Sequence, residues 1–187
     1  MKHRGTKYLE TARLVLRRFE LSDAGAMFNN WAGDPEVTKY LTWPTHGDIS
    51  DSEQILSDWT TSYSGENFYN WCIVLKASSE PIGSIGSHAI NEDLNMVQIG
   101  YCIGRKWWGQ GYVPEALGEL VSFFFEEVEV NRIEARYDPR NINSGKVMTK
   151  AGLIYEGTLR QTERNNQGIC DATYYAILAE DYFAAKS

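Results

Sequence analysis

The chain has 187 residues, 43% hydrophobic and 23% charged, with 18 Lys+Arg against 25 Asp+Glu and a formal charge of −7. That length suits one domain with a proper core, and the acidic balance argues against nucleic acid or an anionic membrane as the main partner while permitting a cationic amine or basic peptide. No apolar run approaches the about 18 residues of a membrane span, the N-terminal MKHRGTKYLE has no apolar h-region, and Cys72, Cys102 and Cys170 sit singly in apolar runs, which together predict a cytoplasmic protein with buried free thiols.

Arg13 to Phe19 (RLVLRRF) alternates as a first strand, and Ser22 and Asp23 offer helix-start chemistry ahead of AGAMFNNW. Trp31 to Asp51 is rich in turn formers and aromatics and reads as short helical turns and loop; Ile49 to Tyr63 resumes a helical pattern with Ile55, Leu56 and Trp59 apolar. From Phe68 the period becomes two. FYNWCIVLK is a strand with Trp71, Ile73 and Leu75 on one face, Ala77 to Pro81 a hairpin turn, and IGSIGSHAI a second strand. Met96 to Ile103 is a third, with Val97, Ile99, Tyr101 and Ile103 aligned.

Leu117, Leu120, Val121, Phe124, Phe125 and Val128 then form an amphipathic helical stripe. Arg132 to Asp138 is a strand, and Asn141 to Ala151 a shorter helix stopped by Gly152. Leu153 to Arg160 and Ile169 to Leu178 are strands joined by the turn-rich Asn165 to Gly168. Nothing repeats and no linker divides the chain, so residues 1–187 read as one mixed α/β domain, a meander followed by two crossovers.

Ahead of the long helix lies GRKWWGQGYVPEAL, Gly104 to Leu117. A dinucleotide fingerprint fails because Pro114 stands three residues after Gly111. A P-loop fails because Gln110 and Gly111, not Lys and Ser or Thr, follow Gly109. No Ser, Thr, Asp or Asn caps the helix, and Pro114 fits its first turn. The residues thus allow two readings: an anion site at an uncapped helix end, or a tight turn whose N–H groups bond water.

WGQGYVPEAL resembles the acetyl-coenzyme A loop of the GNAT N-acetyltransferases, whose pattern is roughly [Q/R]-x-x-G-x-[G/A]. The likeness to the RimJ/RimL type, which acetylates ribosomal-protein N-termini, runs through TARLVLRRFELSDAGAMFNNWAGDPEVTKYLTW, IGYCIGRKWWGQGYVPEAL, NINSGKVMTKAGLIYEGTLR and DATYYAIL. Trp108 stands where Gln or Arg is usual. Val113 replaces Gly or Ala, so it is expected to crowd the pyrophosphate, and Val113→Ala to tighten coenzyme A. The resemblance implies a splayed, mostly antiparallel sheet of about seven strands flanked by helices, with acetyl-CoA entering the splay. It implies acetyl transfer to a primary amine, foremost a protein N-terminal α-amine, in a ternary complex. A polyamine, amino acid or aminoglycoside acceptor, or a non-catalytic acetyl-CoA-binding module, are the alternatives. A homodimer is left open.

By the same resemblance, Ile99, Tyr101 and Ile103 would offer backbone N–H groups to the thioester and pantetheine, and Trp108, Gly109, Gln110, Gly111, Tyr112 and Val113 would cradle the pyrophosphate. Asn141, Ser144 and Lys146 complete the cofactor-binding set. The tyrosine that much of the superfamily uses toward the leaving thiolate falls at Met148, so the role passes to Ser144 as a hydrogen-bond donor. Glu163, nineteen residues further on, matches the base proposed for the RimL-like enzymes. From the residues alone, Asn141 and Ser144 could equally be a helix cap and its first turn, and Glu163 a solvated charge beside Arg160 and Arg164. An α-amine, with pKa near 8, needs less help from a base than a lysine amine near 10.4. Trp31, Tyr40 and Trp43 could wall the acceptor pocket or fill the core. His3, His46 and His88 have no metal-ligand spacing, so no metal site is expected.

Overall fold

The structure is a computed structural model and describes residues 1–186. Eight strands form one sheet in the order β1-β2-β3-β4-β5-β6-β8-β7. They are β1 (Leu9–Glu10), β2 (Leu14–Arg17), β3 (Asn70–Leu75), β4 (Pro81–Asn91), β5 (Met96–Ile103), β6 (Arg132–Tyr137), β7 (Ile154–Asn165) and β8 (Gly168–Leu178). Every pairing is antiparallel except β5 with β6. That parallel pair is matched only from Met96 to Gln98, after which the two strands part. The splay is the consequence of a crossover that leaves β5 at Ile103 and returns at Arg132 through the long helix.

The helices are α1 (Ala24–Met27, continued by a π-helical turn Phe28–Ala32), α2 (Pro35–Thr38), α3 (Ile49–Ser62), α4 (Tyr112–Phe123, with a π-helical turn Phe124–Val128), α5 (Ile142–Lys150) and α6 (Ala179–Ala184). Two cores result, one for each face of the sheet. Alternation along β5 sends Val97, Ile99 and Ile103 to one core, where the predicted stripe Leu117, Leu120, Val121, Phe124, Phe125 and Val128 meets them. Cys102 turns to the other, with Phe19, Met27, Trp31 and Leu56 beneath α1 and α3. Cys72, Cys102 and Cys170 are buried free thiols, as expected.

The short β1 and α6 lie outside the sequence reading, which sees about seven strands. β7 also runs on to Asn165 rather than stopping at Arg160. A register shift between Leu159 and Glu163, with Gln161 at φ 55°, lets the strand resume pairing past that irregularity.

Candidate active site

The parting of β5 from β6 exposes one edge of β5. The Gly104 N–H bonds Ile82 O on β4 at 2.9 Å, and N–H direction alternates along a strand. The N–H groups of Ile103 and Tyr101 therefore face the splay beyond the matched stretch, where no strand pairs with them. The Ile99 N–H, on the same side, is taken up by the parallel pairing of Gln98 with Glu134. At the end of the splay the glycine loop turns into α4. Gly109 and Gly111 adopt φ of 74° and 80°, conformations a Cβ would strain. No side chain caps the helix at Gly111, so its first N–H groups keep no intrahelical partner. A Cβ on Gly109 would meet nothing within 4 Å, so the loop's outer surface is open to a ligand.

Neighbouring groups hold this loop from behind. The Trp108 indole N–H donates to Ile103 O at 2.9 Å, closing the loop on the strand it leaves. Arg13 donates to Gln110 O at 3.0 Å and to Glu115 Oε2 at 2.6 Å, and its guanidinium lies 4.5 Å from the Tyr112 ring centroid. The Val113 side chain is 6% exposed and packs in the core. It points away from the loop, so truncation would open a core cavity and cannot relieve crowding there.

The start of α5 closes the other side. Asn141 occupies the N-cap position, but its side chain makes no capping bond to the backbone; its amide donates instead to Ser144 Oγ at 3.3 Å. That bond occupies a lone pair of the hydroxyl and leaves its proton free for another acceptor. The Tyr101 hydroxyl donates to Ser144 O at 3.1 Å, tying α5 to β5. Met148 is buried in the core and Lys146 exposed on the helix surface. Asp138 fixes the turn that delivers Asn141. It accepts from the Arg140 backbone and guanidinium and from Asn165 at 2.8 Å. Desolvation would raise its pKa, but these donors outweigh it and hold it at about 2.

On the opposite face of the sheet lies a cavity of about 490 Å³. Its walls come from α1 and its π-turn (Met27, Trp31), the loop Leu41 to His46, the Asp51, Gln54, Ile55 and Trp59 side of α3, and β4 and β5 (Ser84, His88, Gly100, Cys102). Trp31 and Trp43 line this cavity and also pack in the core beside it. Tyr40 does not line it; its ring instead lies 5.7 Å from the Arg140 guanidinium. The Trp31 indole N–H is buried and has no hydrogen-bond partner among the described residues. Burial raises the pKa of Cys102, the thiol in this wall, so it stays protonated and is a poor nucleophile.

Glu163 is not in the cavity wall. It sits on β7 with one carboxylate oxygen 2.8 Å from the Arg136 guanidinium. His88, Asp51, Gln54 and Trp59 lie in the wall but escape the sequence reading. The α3 residues carried a signal, since positions 51, 55 and 59 recur every four residues on one helix face. His88 carried none, because the register shift between Ser87 and Ala89 that sets its position is invisible in an alternating strand.

Residues 13–154 match the acetyltransferase (GNAT) domain family. The chain is similar to the uncharacterized N-acetyltransferase p20 of Bacillus licheniformis, 34% identical over 177 residues, with 93% of this chain and 97% of that one covered. It is 32% identical over 71 residues to the ribosomal protein uS5 alanine N-acetyltransferase of Escherichia coli, covering 38% of this chain and 37% of that one. A GNAT-family acetyltransferase from Bacillus anthracis superposes with a TM-score of 0.81 at 26% identity, covering 93% of this chain and 99% of that one. The splayed sheet, the capless glycine loop and these matches agree, and the chain belongs to the GNAT family of acetyltransferases, which take acetyl-CoA as donor.

Proposed function

We propose that the enzyme moves the acetyl group of acetyl-CoA to the α-amine of a polypeptide N-terminus by direct transfer in a ternary complex. The observation that carries this is the position of β5 between two sites. One edge of the strand opens into the splay and the glycine loop, while its other face forms the wall of the cavity. The backbone amides of Gly109 to Val113 fit a pyrophosphate, and the splay-facing N–H groups of Tyr101 and Ile103 fit the amide-bearing arm and the acyl carbonyl. Acetyl-CoA supplies the activated acyl group when bound. Ser144, held by Asn141, donates its hydroxyl proton as a hydrogen bond to the departing sulfur. Direct transfer is favoured because Cys102, the thiol in the cavity wall, is buried and kept protonated, which makes it a poor nucleophile.

An α-amine is the preferred acceptor because a useful fraction is neutral at pH 7, whereas a lysine amine is not. The uS5 alanine N-acetyltransferase, which shares sequence over a limited stretch, acts on such an acceptor by its name. A second reading, a small primary amine, rests on the cavity itself, whose volume of about 490 Å³ lies in the range of small-ligand sites.

One screen separates them. Acetyl-CoA is supplied with hexapeptides beginning in Ser or Ala, with spermidine, with tryptamine and with free amino acids, and products are read by mass spectrometry. The reading expects mono-acetylated peptides, with turnover falling tenfold or more in Ser144→Ala. Acetylation of the small amines alone would replace it with the second reading. Acetyl-CoA binding without any product would leave a binding module.

A further inference from the structure

We propose that His88, at the bulge of β4, is the general base that takes the proton from the acceptor amine. The inference rests on the direct-transfer reading above and adds the group which that reading lacks. Glu163 lies outside the cavity wall and one of its oxygens is taken by Arg136, so the amine needs a base in the cavity itself.

Three basic groups line that cavity, and two are engaged. Asp51 accepts the Gly47 backbone N–H at 2.7 Å. His46 Nδ1 is hydrogen-bonded to Ser52 Oγ at 2.8 Å, on the loop wall away from the sheet. His88 alone lies on the sheet side, beside the strand whose far edge opens into the splay. The register shift between Ser87 and Ala89 turns it off the regular ladder. Its ring then lies across Gly100 of β5, where a Cβ would come within 2.0 Å of Cδ2 and 2.1 Å of Nε2. Only a glycine leaves that space, so the imidazole and the bare backbone of β5 form one fitted pair next to Tyr101, which bonds the Ser144 carbonyl. This arrangement places the base and the thiolate donor on either side of the same strand.

The titratable groups around the ring are Tyr101 and Cys102 of β5, His46 and Asp51 across the cavity, and Arg136 of β6 with its partner Glu163. His88 keeps an exposed side, yet partial desolvation by the surrounding protein first, and Arg136 second, hold its pKa below its ordinary value. The imidazole is therefore neutral and able to accept a proton at pH 7. In the step, the amine lone pair forms the C–N bond as the thioester C–S bond breaks. The nitrogen, which becomes positive as it attacks, loses one proton to an imidazole nitrogen, and the electron pair of the broken bond leaves on sulfur.

The test compares wild type with His88→Gln and Gly100→Ala between pH 5 and 9, using whichever amine of the screen the wild type acetylates fastest. A wrong acceptor class then changes the screen but not this comparison. His88→Gln is expected to lose about 100-fold or more in kcat/KM, with acetyl-CoA affinity by calorimetry unchanged. As pH falls below the ordinary imidazole value of about 6.5 and through the lowered one of His88, the wild-type plot of log kcat/KM against pH steepens from slope one, set by the amine, to slope two; in the variant it stays at one. Gly100→Ala, whose Cβ displaces the ring, is expected to lose activity in the same sense. His88→Gln within threefold of wild type and with an unchanged profile overturns the assignment.

Discussion

Asp138 ties one carboxylate to the geometry of a chemical group four residues from the end of β6. Its side chain is almost fully buried, and its donors include Arg140 and Asn165, while its own carbonyl accepts the Asn141 N–H at 2.7 Å. The folded pKa of about 2 lies below the usual 3.8, so the carboxylate stabilises the fold fully above pH 4 and loses that contribution as pH falls toward 2. The difference of nearly two units corresponds to about 2 kcal/mol. Denaturant unfolding of wild type and Asp138→Asn is expected to differ by at least about 2 kcal/mol at pH 7 and to converge only as pH falls to about 2. Parallel curves across that range would show that the buried carboxylate does not titrate this way. At this scale the sequence was legible in part. Ser144 was reachable only through the family resemblance, and the structure adds its contact with the Asn141 side-chain amide. Val113 reads as a loop residue in the motif but is a core residue in the fold, because the first turn of α4 already faces the sheet.

Among the elements, the β7–β8 hairpin reaches farthest from its place in the chain. At its turn the Asn166 side-chain amide donates to Thr38 O and Trp43 O, each at 2.8 Å, and its backbone N–H donates to Leu41 O at 3.1 Å. Leu41 and Trp43 wall the cavity, so a C-terminal turn fixes an N-terminal loop against the cavity proposed for the acceptor. Asn166→Ala removes two hydrogen bonds worth about 1 kcal/mol each. The acceptor KM is expected to rise about tenfold or more, with acetyl-CoA affinity by calorimetry unaltered. Equal weakening of both substrates would place the hairpin's role elsewhere. The turn itself was plain in Asn165-Asn-Gln-Gly168. Its partner was not, because hydrogen bonds to main-chain carbonyls more than a hundred residues away leave no periodic trace. The irregular stretch from Trp31 to Asp51 was equally opaque, with Trp31 and Trp43 drawn into the cavity and Tyr40 turned to Arg140 by tertiary packing alone.

For the molecule as a whole, the sheet works as a partition. Alternation along β5, visible as Val97, Ile99, Tyr101 and Ile103, set the side that α4 covers. The family resemblance of the glycine loop told which donor the enzyme would take. The opposite face was written in residues scattered over α1, α3 and β4, which only folding collects. Here no helix is long and apolar enough to cross a membrane among the described residues. On the proposed direct transfer, both substrates are bound together before the acetyl group moves. Initial velocities with acetyl-CoA and the acceptor amine varied against each other test this most directly. The account predicts double-reciprocal lines that intersect, as a ternary complex demands. Parallel lines, the mark of an acyl-enzyme that forms before the amine arrives, would contradict it.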